Sequence, residues 1–123
     1  MKKYLLFGLI FSTEILAESF KIAGDLVEFK DQDGLLLKGC EKKCDALKVI
    51  KKHKKIDLQS IRKDMQFSNS VGSDVCFKVY KADSLLGVAE NSDRRAFCYF
   101  KDKSMVEMNS LSAYLVKNKI VKE

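Results

Sequence analysis

The chain has 123 residues, 46% hydrophobic and 33% charged, with a net charge of +6 at pH 7, four cysteines and no proline. That length points to one domain with a modest core, which needs neither a metal nor a partner subunit to hold it. Composition and spacing supply no glycine-rich phosphate loop, no paired-carboxylate spacing and no nucleophile set beside a base, so no catalytic residue and no cofactor is assigned.

Lys2 and Lys3 precede an uninterrupted apolar stretch from Tyr4 to Phe11, which Ser12, Thr13 and Glu14 bring to an end. Ile15-Leu16-Ala17 then sets a small residue before Glu18, and the pattern predicts a secretory signal peptide over residues 1–17, cleaved after Ala17. A spanning helix needs about 20 apolar residues, and Glu14 interrupts too early for that. The expected product is a secreted or periplasmic protein with no transmembrane segment. A lipoprotein anchor would require a cysteine directly after the cleavage point, and the first cysteine is Cys40.

Residues 18–25 read as a short lead-in. Leu26-Val27-Glu28-Phe29 and Leu35-Leu36-Leu37 flank Asp31-Gln32-Asp33-Gly34, an Asp-Gly hairpin signal. From Cys40 the period becomes helical, with Cys40, Cys44, Leu47 and Ile50 on one face and lysines elsewhere on the surface. Asp57 reads as the N-cap of a second short helix carrying Leu58, Ile61 and Met65. Residues 68–72 form a linker by composition, and Ser73 or Asp74 is expected to cap a third helix that holds Val75, Cys76, Val79 and Tyr80. Leu85 to Glu90, Arg94 to Phe100 and Met105 to Met108 are predicted strands, separated by polar turns at Asn91-Ser92-Asp93 and Asp102-Lys103-Ser104. Because Phe97 to Phe100 is apolar on both faces, the middle strand is expected to be central or covered. A terminal helix from Ser110 to about Lys117 closes the unit, followed by a basic tail expected to fray.

The predicted fold is therefore a single α+β domain over residues 18–123: an N-terminal hairpin, a basic helical segment, then a C-terminal helix with a three-stranded antiparallel sheet. A division near residue 70 is the alternative. Cys40, Cys44, Cys76 and Cys98 form an even set in an exported domain and read as two disulfides. Four cysteines allow three pairings, among which sequence does not decide; nearness along the chain favours Cys40 with Cys44 and Cys76 with Cys98.

The order from Cys76 onward is a cysteine, a strand, a polar turn, then Phe97-Cys98-Tyr99-Phe100-Lys101-Asp102-Lys103-Ser104 and a further strand. Over residues 73–110 this resembles small bacterial exported domains of unknown function, some of them labelled candidate haemolysins. In those domains a second cysteine precedes an aromatic residue and an Asp-Gly-Ser turn. Two departures stand out: Lys103 occupies the place of the turn glycine, and paired glycines after the first cysteine are missing. The resemblance implies export and a cysteine pair, and it implies no chemistry.

Three groups of residues could carry function. Between Lys38 and Asp64 ten Lys/Arg stand against four Asp/Glu, so nearly all the net charge lies in that segment. Lys48, Lys51, Lys52, Lys54 and Lys55 are the candidate anion-binding residues, suited to an anionic envelope polymer or an anionic lipid surface. No aromatic residue is interleaved with them, which disfavours single-stranded nucleic acid. Cys40 and Cys44 beside Lys42 and Lys43 offer the alternative of a thiol-disulfide protein, although the spacing is not Cys-x-x-Cys. Phe97 and Tyr99 offer a third reading, a secreted inhibitor or toxin that binds another protein through an aromatic strand. Thiolate ligation of zinc by the cysteines, with His53 as a further ligand, is set aside because an oxidising compartment consumes the thiols, so no metal is assigned.

Overall fold

The structure is a computed structural model and describes residues 17–66 and 69–122; apart from Ala17, the expected signal peptide lies outside the described residues. In chain order the elements are β1 (Ala17–Ile22), β2 (Asp25–Gln32), β3 (Leu35–Lys38), α1 (Asp45–Lys52), α2 (Leu58–Arg62) and α3 (Val71–Lys78). They are followed by β4 (Asp83–Ala89), β5 (Arg94–Tyr99), β6 (Met105–Glu107) and α4 (Met108–Lys117). All strand pairs are antiparallel, and the order β1-β2-β3-β6-β5-β4 closes on itself into a barrel.

This overturns the expected α+β arrangement of a hairpin separated from a three-stranded sheet. Two non-local seams make the difference. Leu37 and Lys38 of β3 pair with Val106 and Met105 of β6, while Phe20, Lys21 and Ile22 of β1 pair with Ala89, Val88 and Gly87 of β4. The stretch expected as a lead-in is thus the strand that closes the barrel. A two-residue turn with both residues at positive φ, Ala23 at 53° and Gly24 at 88°, joins it to β2. Asp33 and Gly34 make the same kind of turn between β2 and β3, at 57° and 91°.

Alternation along the strands sorts two cores. Phe20, Ile22, Phe29, Leu36, Phe97 and Met105 point into the barrel and fill it. Phe20 meets Phe29 and Phe97 edge-on at 5.5 and 5.1 Å, and Phe29 stacks on Phe97 at 4.9 Å. Such pairs contribute about 0.5–1.5 kcal/mol each beyond their buried area. Leu35 and Leu37, flanking the inward Leu36, point outward with Cys98 and Val106 and are buried under the helices together with Ala46, Ile50, Val75, Leu111 and Leu115. A second apolar layer explains why β3 and β5 are hydrophobic on both faces.

Glu107 lies at the junction of β6 and α4. It is buried, yet its two carboxylate oxygens accept the N–H groups of Asn109 and Ser110 at 2.9 and 2.8 Å, capping α4. Arg95 pairs with it at 3.7 Å and lies 5.6 Å from the centre of the Phe20 ring. The charge is therefore compensated where it is buried.

Helix boundaries also differ from expectation. α1 starts at Asp45 instead of Cys40, because Cys44 takes extended backbone angles and acts as the N-cap. Ser70, not Ser73 or Asp74, caps α3, and the Ser70 hydroxyl accepts the Ser73 N–H at 3.2 Å. Asp74 is instead buried against Arg62, whose Nε donates to it at 2.6 Å. Asp57 caps α2 as expected.

Candidate functional site

Two disulfides hold the helical layer, Cys40 to Cys44 before α1 and Cys76 to Cys98 between α3 and β5. Among the described residues no cysteine is free. Cys40 and Cys44 are both buried, and the Cys44 sulfur accepts the Leu47 N–H at 3.4 Å. This bridge is thus built into the helix start.

Burial of Ala46 and Ile50, with Leu47 and Val49 partly covered, fixes the inner face of α1. Everything else on that helix turns outward. Lys48, Lys51, Lys52, Lys54 and Lys55 are all exposed, as are Lys42 and Lys43 ahead of the helix. The ion pairs formed among the described residues are Arg62 with Asp74 and Arg95 with Glu107, so no lysine of this group is neutralised by a neighbouring carboxylate. His53 ends the helix, its Nδ1 lying 3.1 Å from the Val49 carbonyl and its ring 5.6 Å from that of Tyr80. It is half-buried in a packing role. The Tyr80 hydroxyl has no hydrogen-bond partner among the described residues. Burial, reinforced by the charge of Tyr114, raises its pKa well above the ordinary phenol range.

Two lysines of the basic surface, Lys119 and Lys122, were not legible in the sequence as part of it. After α4 the chain does not fray: Ile120 donates to the Leu115 carbonyl at 2.9 Å, the Ile56 N–H donates to the Ile120 carbonyl at 2.8 Å, and Ile56 bridges Val121 in parallel. Ile56 and Val121 are both buried. The C-terminal segment is thereby fastened beside the loop that follows α1, bringing exposed Lys119 and Lys122 next to Lys54 and Lys55. An apolar Ile-Val pair within a lysine-rich tail was the available signal, and it is too short to read as a strand.

Phe97 does not join an outward patch. It is fully buried inside the barrel, and Tyr99, half-buried, packs against the same interior cluster. The anion-binding candidates are all exposed, whereas the aromatic candidates belong to the core. Among the described residues no helix is long and apolar enough to cross a membrane. The two disulfides are compatible with an extracellular or periplasmic protein. No family model, no curated protein and no solved structure matches this chain.

Proposed function

We propose that this protein is an exported, non-enzymatic binding module that holds an anionic polymer on a composite lysine surface. The surface comprises Lys48, Lys51, Lys52, Lys54 and Lys55 together with Lys119 and Lys122. The observation carrying this reading is the convergence of two chain segments, distant in sequence, on one exposed cationic surface without carboxylate partners. Concentrated positive potential of that kind attracts polyanions and raises their rate of encounter. Burial of Cys40 and Cys44 weighs against a role in thiol exchange, and burial of Phe97 weighs against recognition through an aromatic strand.

Binding to a soluble polyanion, polyglutamate or polyphosphate, measured calorimetrically at low and high salt, tests the reading. Affinity should fall steeply as salt rises. K51Q/K52Q/K55Q and, separately, K119Q/K122Q should each weaken binding and flatten its salt dependence. Loss only in the first variant would exclude the C-terminal lysines, and unchanged binding in both would refute the site.

A further inference from the structure

The helices cover the outer face of β3, β6 and β5 and, through α3, the start of β4 at Asp83; on the other side of the ring no helix among the described residues covers the outer face of β2, β1 and the rest of β4. Outward residues there form a row set by register. Leu26 of β2 stands opposite Lys21 of β1, Lys21 opposite Val88 of β4, and Val88 opposite Arg94 of β5. With neighbouring strands about 4.8 Å apart, the row spans roughly 14 Å. Leu86, two residues before Val88, projects on the same side, next to the Ala23–Gly24 turn. Leu26 and Leu86 are 73% and 75% exposed and Val88 is 41% exposed, the values expected of side chains standing clear of the sheet. A shallow groove of about 410 Å³ runs between the turn, Leu86, Val88, Lys21 and Arg94.

Single exposed aliphatic residues are ordinary on protein surfaces; three brought together by strand pairing and interleaved with two cations are a chemically distinct patch. On the outer face carboxylates begin one row away from the turn, where Glu28 stands opposite Ser19 and Glu90 follows Ala89, while exposed Asp25, directly after Gly24, stands opposite the inward Ile22 and so in the inward register. The face is thus polarised, apolar and cationic at the turn end and acidic beyond it.

We propose that this face docks on the surface of an anionic lipid bilayer, with the Ala23–Gly24 turn and Leu86 leading. Leu26, Leu86 and Val88 enter the headgroup and acyl boundary, Lys21 and Arg94 meet lipid phosphates, and Glu28 and Glu90 stay on the aqueous side. Interfacial binding scales with buried apolar area plus attraction to anionic headgroups, and this patch supplies both. A symmetric pairing of two copies over the same row would bring Lys21 and Arg94 toward their own kind. The docking face lies across the barrel from the lysine surface and does not depend on it, so one molecule can hold a bilayer and a polyanion at the same time.

The test uses protein isolated from the producing cell and vesicles of phosphatidylcholine with and without phosphatidylglycerol. Wild-type protein should co-sediment with the anionic vesicles and not with the neutral ones. L26S/L86S/V88S leaves the charge unchanged and should cut vesicle binding about tenfold while polyglutamate binding stays at the wild-type level. K51Q/K52Q/K55Q should show the reverse pattern, which separates failure of this docking face from failure of the lysine surface. L86W should be quenched by brominated lipid, whereas Q59W on the helical side should not. Undiminished vesicle binding by the triple serine variant, equal binding to neutral vesicles, an unquenched L86W, or a change in oligomeric mass in place of vesicle binding would each overturn the proposal. Because the substitutions are all at exposed positions, circular dichroism of each variant should match that of the wild type.

Discussion

Oδ2 of Asp102 accepts the backbone N–H of Asp45 at 2.8 Å, so the turn between β5 and β6 caps a helix that lies 57 residues earlier in the chain. The neighbouring Ser104 hydroxyl accepts the next N–H, that of Ala46, at 3.1 Å, and the Cys44 sulfur takes the one after it, from Leu47. Asp102 in turn holds Ser104 in place, its Oδ1 accepting both the Ser104 N–H at 2.9 Å and the Ser104 hydroxyl at 2.6 Å. Three N–H groups that a helix start leaves without intrahelical partners are satisfied this way. The basic helix is fastened to the barrel by hydrogen bonds as well as by apolar packing.

Acid should loosen that attachment. Desolvation, the largest single influence on Asp102, disfavours its anion, but hydrogen bonds from the Ser104 hydroxyl and from the N–H groups of Asp45 and Ser104 together outweigh it. The carboxyl is therefore held below its ordinary value. A group with a depressed folded pKa stabilises the fold above its unfolded pKa, and that contribution fades as pH falls through the folded one. D102A should lower unfolding stability at neutral pH by about 1 kcal/mol, the usual scale for a lost cap. The gap from wild type should begin to narrow below about pH 4, where an aspartate of the unfolded chain takes up its proton, and close at the lower pH where the folded carboxyl does. Urea unfolding at neutral and acid pH measures both, and a gap that persists in acid would show that the carboxylate charge is not what matters.

Closure of the barrel can be probed at Gly87. A Cβ built there would lie 2.8 Å from both Ile22 Cγ1 and Phe97 Cε1, and 3.1 Å from the Lys21 carbonyl oxygen. Ile22 and Phe97 are buried in the interior, and the strand carrying Ile22 is paired on both sides, so neither can retreat cheaply. G87A should destabilise the protein by about 1–3 kcal/mol through overpacking. Thermal unfolding reads this directly. Tolerance of the methyl group would mean that β1 does not seal against β4 as described.

Local chemistry was legible in the sequence wherever it was self-contained. The Asp33–Gly34 turn, the Asp57 cap and the apolar run through Phe97 all reported their structure, because turn geometry, capping and two-sided burial depend on residues close together in the chain. Barrel closure did not show, since β1 carries alternation too short to distinguish from a lead-in and its turn opens with Ala23 where asparagine or aspartate is usual. Nor could spacing reveal that β3 pairs with β6, because register between distant strands is decided by which faces must be covered. The lysines of the candidate surface were visible as a charge run. Their C-terminal companions were not, because Ile56 and Val121 had to be brought together first.

The two disulfides should differ in worth. Cys76 and Cys98 are 22 residues apart, while Cys40 and Cys44 are separated by four. In the chain-entropy account the longer closed loop stabilises by about 3 kcal/mol and the shorter by about 2 kcal/mol. C76A/C98A also leaves smaller side chains between α3 and β5, where Cys76 is 1% and Cys98 0% exposed, so its loss should exceed the entropic figure. Denaturant unfolding of C76A/C98A and C40A/C44A gives the order. A larger loss from the short bridge would indicate that its contribution is local, through the Cys44 sulfur at the start of α1.

Lys103 stands at φ 72° in the loop that joins β5 to β6, where Phe100 donates to the Ser104 carbonyl at 2.9 Å and Lys103 donates to the Phe100 carbonyl at 2.8 Å. The left-handed region costs an ordinary side chain roughly 1–2 kcal/mol, against about 0.5–1 kcal/mol for the extra freedom that glycine loses on folding. K103G should therefore stabilise the protein by about 0.5–1 kcal/mol, seen as a higher Tm. K103A supplies the comparison, because it removes the same charge but keeps a Cβ in the strained position. If alanine raised Tm as much as glycine, relief of like-charge repulsion with the nearby Lys101 would be the cause, and the backbone explanation would fail.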